Sequence, residues 1–274
     1  MIKKDIIKRA QINLLDEFVR ICRKYNLKYS LIGGTLLGAI RHNGFIPWDD
    51  DIDVGMPRND YEKFMSLCDV ELDDDYAITN WNKDKNSPLP FSKLVIKNTK
   101  YIQKMSSTTN ANSEIFIDIF PFDNIPDRSY KRFLQKIKVL SLRKIILIKY
   151  RYNIFDKGIT QKVKHLPFIL LSFVCRKQFL KNALEKQMRK YEKSVTMEMS
   201  NMAGSYSYEK EIAKNGFFEN RILHWFETGQ YYIPTIYDDY LKQVYGNYMK
   251  LPPISERKGK HKIVKVSLGN YKIK

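Results

Sequence analysis

Residues Leu31–Met56 read LIGGTLLGAIRHNGFIPWDDDIDVGM, with Asp49, Asp50, Asp51 and Asp53 packed into five positions of a run otherwise rich in apolar residues and glycine. Carboxylates that close repel one another and resist burial without a compensating cation. Asp51-Ile52-Asp53-Val54 reads as a short strand, whose alternation turns Asp51 and Asp53 to one face and Ile52 and Val54 to the other. Two carboxylates on one strand face make a hard-oxygen site suited to Mg²⁺ or Mn²⁺. Such a site holds a nucleotide's phosphates for transfer chemistry.

The upstream half supplies a complementary part. Lys28–Ile32 reads as a strand that Gly33-Gly34-Thr35 breaks, and Thr35 is placed to cap a helix running to Arg41 through Leu36, Leu37, Ala39 and Ile40. A strand, two glycines and a helix start leave backbone N–H groups where a phosphate can sit. Arg41 and His42 close the segment as candidate phosphate contacts. Alone, the glycine pair is a tight turn; beside the aspartates it reads as a cradle.

The stretch GGTLLGAIRHNGFIPWDDDIDVGMPRNDYEKF resembles the LicD family of phosphotransferases, the phosphocholine transferases of bacterial surface glycans, related to fukutin-type enzymes that transfer ribitol phosphate. The resemblance continues through Glu114–Phe122 (EIFIDIFPF) and Tyr237–Pro253 (YDDYLKQVYGNYMKLPP) but not through the middle of the chain. It implies an α+β fold with a nucleotidyltransferase-like core: a small mixed sheet with flanking helices, a glycine turn, an Asp-x-Asp strand and a third acid on a neighbouring strand. The long connection RHNGFIPWD departs from the wider superfamily and is shared by LicD-like sequences.

The third acid is Asp118, central in the apolar run Ile115–Phe120 and costly to bury unless it binds something. Phe91–Ile96 reads as a buried strand carrying Lys93, which either snorkels at a sheet edge or aims a cation at a diphosphate. Asp123, after Pro121, reads as a turn residue, and Ser106–Asn112 as a polar loop. Scaffold helices are expected at Asp5–Tyr25, from Pro57 to about Asp69, and at Tyr240–Met249. The aromatic-rich last quarter reads as packing, with one or two rings free to wall a choline head. His261 reads as either a phosphate contact or a solvated side chain.

The 274 residues carry a formal charge of +18 and a pI near 9.6, which points to a polyanion, an anionic membrane face or both. Lys131–Lys190 holds seventeen Lys and Arg against two acids, and so supplies most of that excess. Helical apolar spacing persists there, joined by the apolar decapeptide Leu166–Cys175, which is too short to span a bilayer but fits its interface. A soluble helical insertion with charged outer faces is the alternative. No nucleic-acid recognition motif accompanies the charge. Cys22, Cys68 and Cys175 suggest neither a disulfide framework nor a metal motif. With a start lacking a signal-peptide core, they lead to the expectation of a cytoplasmic protein, peripheral at the inner face of the cell membrane. The expected organisation is a catalytic core at 1–127, a basic helical insertion at 128–200 and an aromatic segment at 201–274 that packs back on the core.

Together the residues support metal-assisted phosphoryl or nucleotidyl transfer, with Asp51 and Asp53 on the metal, Asp118 either completing the metal site or taking a proton from the acceptor hydroxyl, and Gly33, Gly34, Thr35, Arg41, His42 and Lys93 on the substrate. The resemblance implies a CDP-alcohol donor, phosphocholine transfer to a glycan or lipid-linked oligosaccharide acceptor, and release of CMP. Three rivals remain. A glycosyltransferase with an Asp-x-Asp site normally carries a longer nucleotide-binding half before that motif. A calcium loop would place Asp49, Asp51, Asp53 and Asp60 at its ligand positions but needs glycine where Val54 stands. A basic membrane-binding module would need no metal acids.

Overall fold

The computed structural model describes residues 2–103, 111, 113–152, 166–214, 216–257, 259 and 263–273. His261, residues 153–165 and the expected Ser106–Asn112 loop, Ala111 apart, lie outside them.

Helix α1 (Ile2–Lys24) buries Leu14, Leu15, Phe18 and Cys22 at three- and four-residue spacing, as one apolar stripe predicts. It packs behind a sheet built from β1 (Ser30–Leu31), β2 (Asp53–Pro57), β3 (Tyr76–Thr79), β4 (Ser92–Ile96) and β6 (Phe116–Asn124). Between these strands come α2 (Gly33–His42), α3 (Arg58–Glu71) and β5 (Lys100–Gln103). The strand order is β1-β2-β6-β4-β3, with β2 and β6 parallel and the other pairs antiparallel. A mixed sheet with flanking helices is the α+β arrangement expected from the sequence.

Strand β6 is the spine. Phe116–Ile119 pair with β4, Asp118–Phe122 pair with β2, and its last residues pair with β7 (Glu198–Ser200), which carries β8 (Ile212–Lys214). Asp123 is therefore not a turn residue: it lies in β6, is 1% exposed, and receives the Arg58 guanidinium through two bonds of 2.7 Å. Pro121 does not end the strand, because β4 has already stopped pairing at Ile119 and a missing N–H costs nothing there.

The basic stretch forms α4 (Ser129–Lys149), α5 (Leu166–Val174) and α6 (Lys177–Met188), and it packs on the core. Val139, Ile145, Ile146, Leu180 and Leu184 are buried, and the Lys181 ammonium donates to the Trp81 carbonyl at 2.6 Å. The outer faces keep apolar side chains in the open, with Phe173 78% and Val174 82% exposed. No helix among the described residues is long and apolar enough to cross a membrane. The hairpin β9 (Arg221–Phe226) and β10 (Gly229–Pro234), helix α7 (Tyr237–Tyr245) and strand β11 (Ile263–Ser267), paired to β5, complete the chain.

Candidate active site

Strands β2, β6 and β4 lie side by side in registers that set Asp53 opposite Asp118 and Asp118 opposite Lys93. Adjacent strands stand about 4.8 Å apart, so these three side chains form one row on one sheet face. The Lys93 ammonium sits 2.7 Å from Asp118 Oδ1 and 3.2 Å from the centre of the Phe116 ring. Because β4 lies between β6 and β3, Lys93 has no sheet edge to snorkel from, and its charge stays in the site. Asp51 precedes β2, yet the alternation extends back to it: Ile52 and Val54 are fully buried, and the Asp118 N–H donates to the Ile52 carbonyl at 2.8 Å.

Asp49, Asp50 and Asp51 bring one carboxylate oxygen each within 4.8 Å of the others, a spacing a divalent ion can bridge. Asp50 is set deeper, at 6% exposure, with the Tyr101 hydroxyl on its Oδ2 at 3.0 Å. Burial, then the Asp50 charge, drive the Tyr101 pKa above the ordinary tyrosine range. From α1, Gln11 donates to the Asp50 carbonyl at 3.0 Å and the Phe116 carbonyl at 3.2 Å, fastening the aspartate loop to β6.

Helix α2 meets the acids at its start. Gly33 has φ +53, and a Cβ there would stand 3.3 Å from Asp53 Oδ2; one on Gly34 would stand 2.5 Å from Asp49 Oδ2. The glycines thus let the helix N-terminus approach two carboxylates. Thr35 does not cap the helix, because the left-handed Gly33 starts it earlier, with Ile32 in the cap position. Its hydroxyl oxygen instead accepts the Asp53 N–H at 2.8 Å and ties the helix to the acid strand.

Asp49, Asp51, Asp53 and Asp118 line one cavity of about 490 Å³ with Gly34, Lys93, Gln103 and Arg143. Its apolar side is formed by Leu89, Phe91, Phe116, Phe120 and Leu147, with Tyr152 and Tyr206 at hand. Burial and the nearby Asp118 charge push the Tyr152 phenol up to about 12. Four carboxylates against two cations leave an excess negative charge of hard oxygen, the chemistry a divalent ion takes; the oxygens that converge to within 4.8 Å among the described residues are those of Asp49, Asp50 and Asp51, while Asp53 and Asp118 line the same cavity outside that cluster.

Of the six expected substrate contacts, Gly34 and Lys93 line the cavity, while Gly33, Thr35, Arg41 and His42 are not among its lining residues. Neither Arg41 nor His42 lines the cavity: Arg41 Nη1 donates to the Tyr248 carbonyl, and the His42 ring packs edge-on to Trp48 at 6.2 Å. Burial lowers the pKa of both, and at His42 the neighbouring Arg41 charge lowers it further. Both stand in the last turn of α2, one helix length from the glycines. Conversely, Arg143, Tyr152 and Tyr206 went unnoticed. Val139, Arg143 and Leu147 do share one face of α4 at four-residue spacing, a signal that the charge of the stretch concealed.

Comparison with known proteins gives the family. Residues 26–145 match the family described as LicD/FKTN/FKRP, nucleotidyltransferase domain. The lipopolysaccharide cholinephosphotransferase LicD of Haemophilus influenzae is 30% identical over 259 residues, which cover 91% of this chain and 92% of that protein. An uncharacterised protein of Rickettsia prowazekii is 47% identical over 47 residues (17% of this chain, 18% of its own), and mouse ribitol 5-phosphate transferase FKRP is 40% identical over 53 residues (19% and 11%). Near-complete coverage of a LicD protein, together with the acid row on a nucleotidyltransferase-type sheet, places the chain in the LicD family, as a phosphotransferase.

Proposed function

We propose that the protein transfers a phospho-alcohol, phosphocholine foremost, from a CDP-activated donor to a hydroxyl of a surface glycan or its lipid-linked precursor, releasing CMP. The observation that carries this reading is the in-register row Asp53–Asp118–Lys93, sharing a cavity with Asp49 and Asp51. Asp51, Asp53 and Asp118, joined by Asp49, would hold Mg²⁺ or Mn²⁺, which when bound supplies Lewis-acid charge at the donor's phosphoryl oxygens.

The remaining work belongs to the chain. The amides at the start of α2 and the Lys93 ammonium offset charge that moves to the leaving phosphate. The acceptor oxygen forms a bond to the phosphorus bearing the alcohol, the bond from that phosphorus to the CMP oxygen breaks, and the acceptor's proton passes to a carboxylate. Phe91, Phe120, Tyr152 and Tyr206 supply ring surface for a trimethylammonium head, the Phe116 face being covered by the Lys93 ammonium. Residues 128–200, with Lys and Arg around exposed Phe173 and Val174, suit the inner face of an anionic membrane, where a lipid-linked acceptor resides.

The test is purified protein with Mg²⁺ and CDP-choline, CDP-ethanolamine, CDP-glycerol or CDP-ribitol, glycan acceptors present, and CMP release followed. CDP-choline should turn over fastest, and Asp53→Asn should abolish release. Turnover of a UDP-sugar and of no CDP donor would overturn the reading in favour of a glycosyltransferase.

A further inference from the structure

We propose that Arg143, on the basic helix α4, is the residue that grips the donor's diphosphate, forming an anion subsite on the helix wall of the cavity whose sheet wall carries the acids. This deepens the donor reading above and rests on it. Among the described residues the cavity has two cations, Lys93 and Arg143. Lys93 is already drawn onto Asp118 at 2.7 Å. The role the sequence assigned to Arg41 therefore falls to Arg143.

The guanidinium is held in a prepared geometry. Its Nη2 donates to the Ala203 carbonyl at 3.2 Å and to the Gly204 carbonyl. Nη2 is thereby committed to the two carbonyls, and the Nε–H and the Nη1 hydrogens, on separate sides of the guanidinium, are left as single donors to a ligand in the cavity. The loop offering those carbonyls is itself braced by buried Glu211, which accepts the Asn201 side-chain amide and the Tyr206 N–H, both at 3.1 Å. Burial holds the Arg143 pKa below the usual arginine value, with Glu211 opposing, so an anion that completes its charge is welcome there. A guanidinium anchored through Nη2 holds its remaining N–H donors at fixed positions, where each can meet one phosphate oxygen. A phosphate chain reaching from the metal acids to Arg143 would also bring the basic helix, and whatever surface it rests on, into register with the reacting phosphorus.

Calorimetric binding of CDP, CMP and inorganic pyrophosphate, with Mg²⁺, to the full-length protein tests this. Arg143→Gln should weaken CDP and pyrophosphate about thirtyfold and CMP less, and raise the donor KM more than it lowers kcat. Arg143→Lys keeps the charge beside Glu211 and should still lose about tenfold, since an ammonium cannot hold the two loop carbonyls and present fixed donors to the phosphate at once. If Arg143→Gln fails to fold, the lysine variant decides. Binding of CDP unchanged from wild type in a folded variant overturns the subsite and leaves the donor reading intact. Wild-type binding of pyrophosphate without CDP keeps the subsite and removes the cytidine donor; binding of neither overturns both.

Discussion

Replacing Asp118 by asparagine separates the structural and chemical roles of the acid row. Asp118 is 8% exposed and the Lys93 side chain 20%, so the variant leaves a largely buried ammonium facing a neutral amide. Breaking a fully buried pair from one side costs roughly 3–5 kcal/mol; with Lys93 partly solvated the expected loss is about 2 kcal/mol, near 5 °C in Tm for a chain of this size. Lys93→Met added to Asp118→Asn removes the stranded cation and lays a thioether on the Phe116 ring, where the ammonium now sits 3.2 Å from the centre. The double variant should return to within about 1 kcal/mol of wild type. Metal affinity should not return with it. Titration with Mn²⁺, read by electron paramagnetic resonance, should show binding weakened roughly a hundredfold in both Asp118→Asn backgrounds, but at most a few-fold by Lys93→Met alone. Wild-type Mn²⁺ affinity in the stabilised double variant would mean that Asp118 serves only to neutralise Lys93, and the three-acid site would be wrong.

Thr35→Val leaves the Asp53 N–H without its acceptor and should cost about 1–2 kcal/mol in urea unfolding, whereas Thr35→Ser should recover most of it; equal losses would show that the methyl contact matters instead. Glu211 carries a pH signature: burial raises its carboxyl from 4.5 to about 7, against the lowering by the Tyr206 N–H, Arg143 and Asn201. The folded state then binds the proton more tightly than the unfolded chain, so stability falls by about 3 kcal/mol as pH rises from about 4.5 to about 7. Glu211→Gln should remove that fall from the pH profile of urea midpoints; a profile parallel to wild type would refute the assignment.

What the sequence revealed and what it hid divide along the range of the interactions. The acid strand, the glycine turn and the lone aspartate in IFIDIF are local patterns: alternation alone sets Asp51 and Asp53 against Ile52 and Val54, and the latter two are indeed fully buried. The meeting of Asp53 with Asp118 across 65 positions was legible only because a buried acid in an apolar strand demands a partner. Thr35 shows the limit. Its hydroxyl had a local use, the helix cap, and a distant one, the Asp53 N–H, and the positive φ of Gly33 decided for the distant one. Asp123 was mistaken for the same reason, because Pro121 reads as a strand breaker until one knows that β4 has stopped pairing by then. Net charge misled most at α4. Seventeen cations along Lys131–Lys190 look interchangeable in the sequence, yet Lys181 ends on the Trp81 carbonyl, Lys149 on that of Ser172, and Arg143 on the cavity wall. Helix α4 thus carries Arg143 on the cavity wall and its other cations away from that wall. Shifting α4 by a single residue would therefore take Arg143 and Leu147 off the cavity wall while leaving the chain's net charge unchanged.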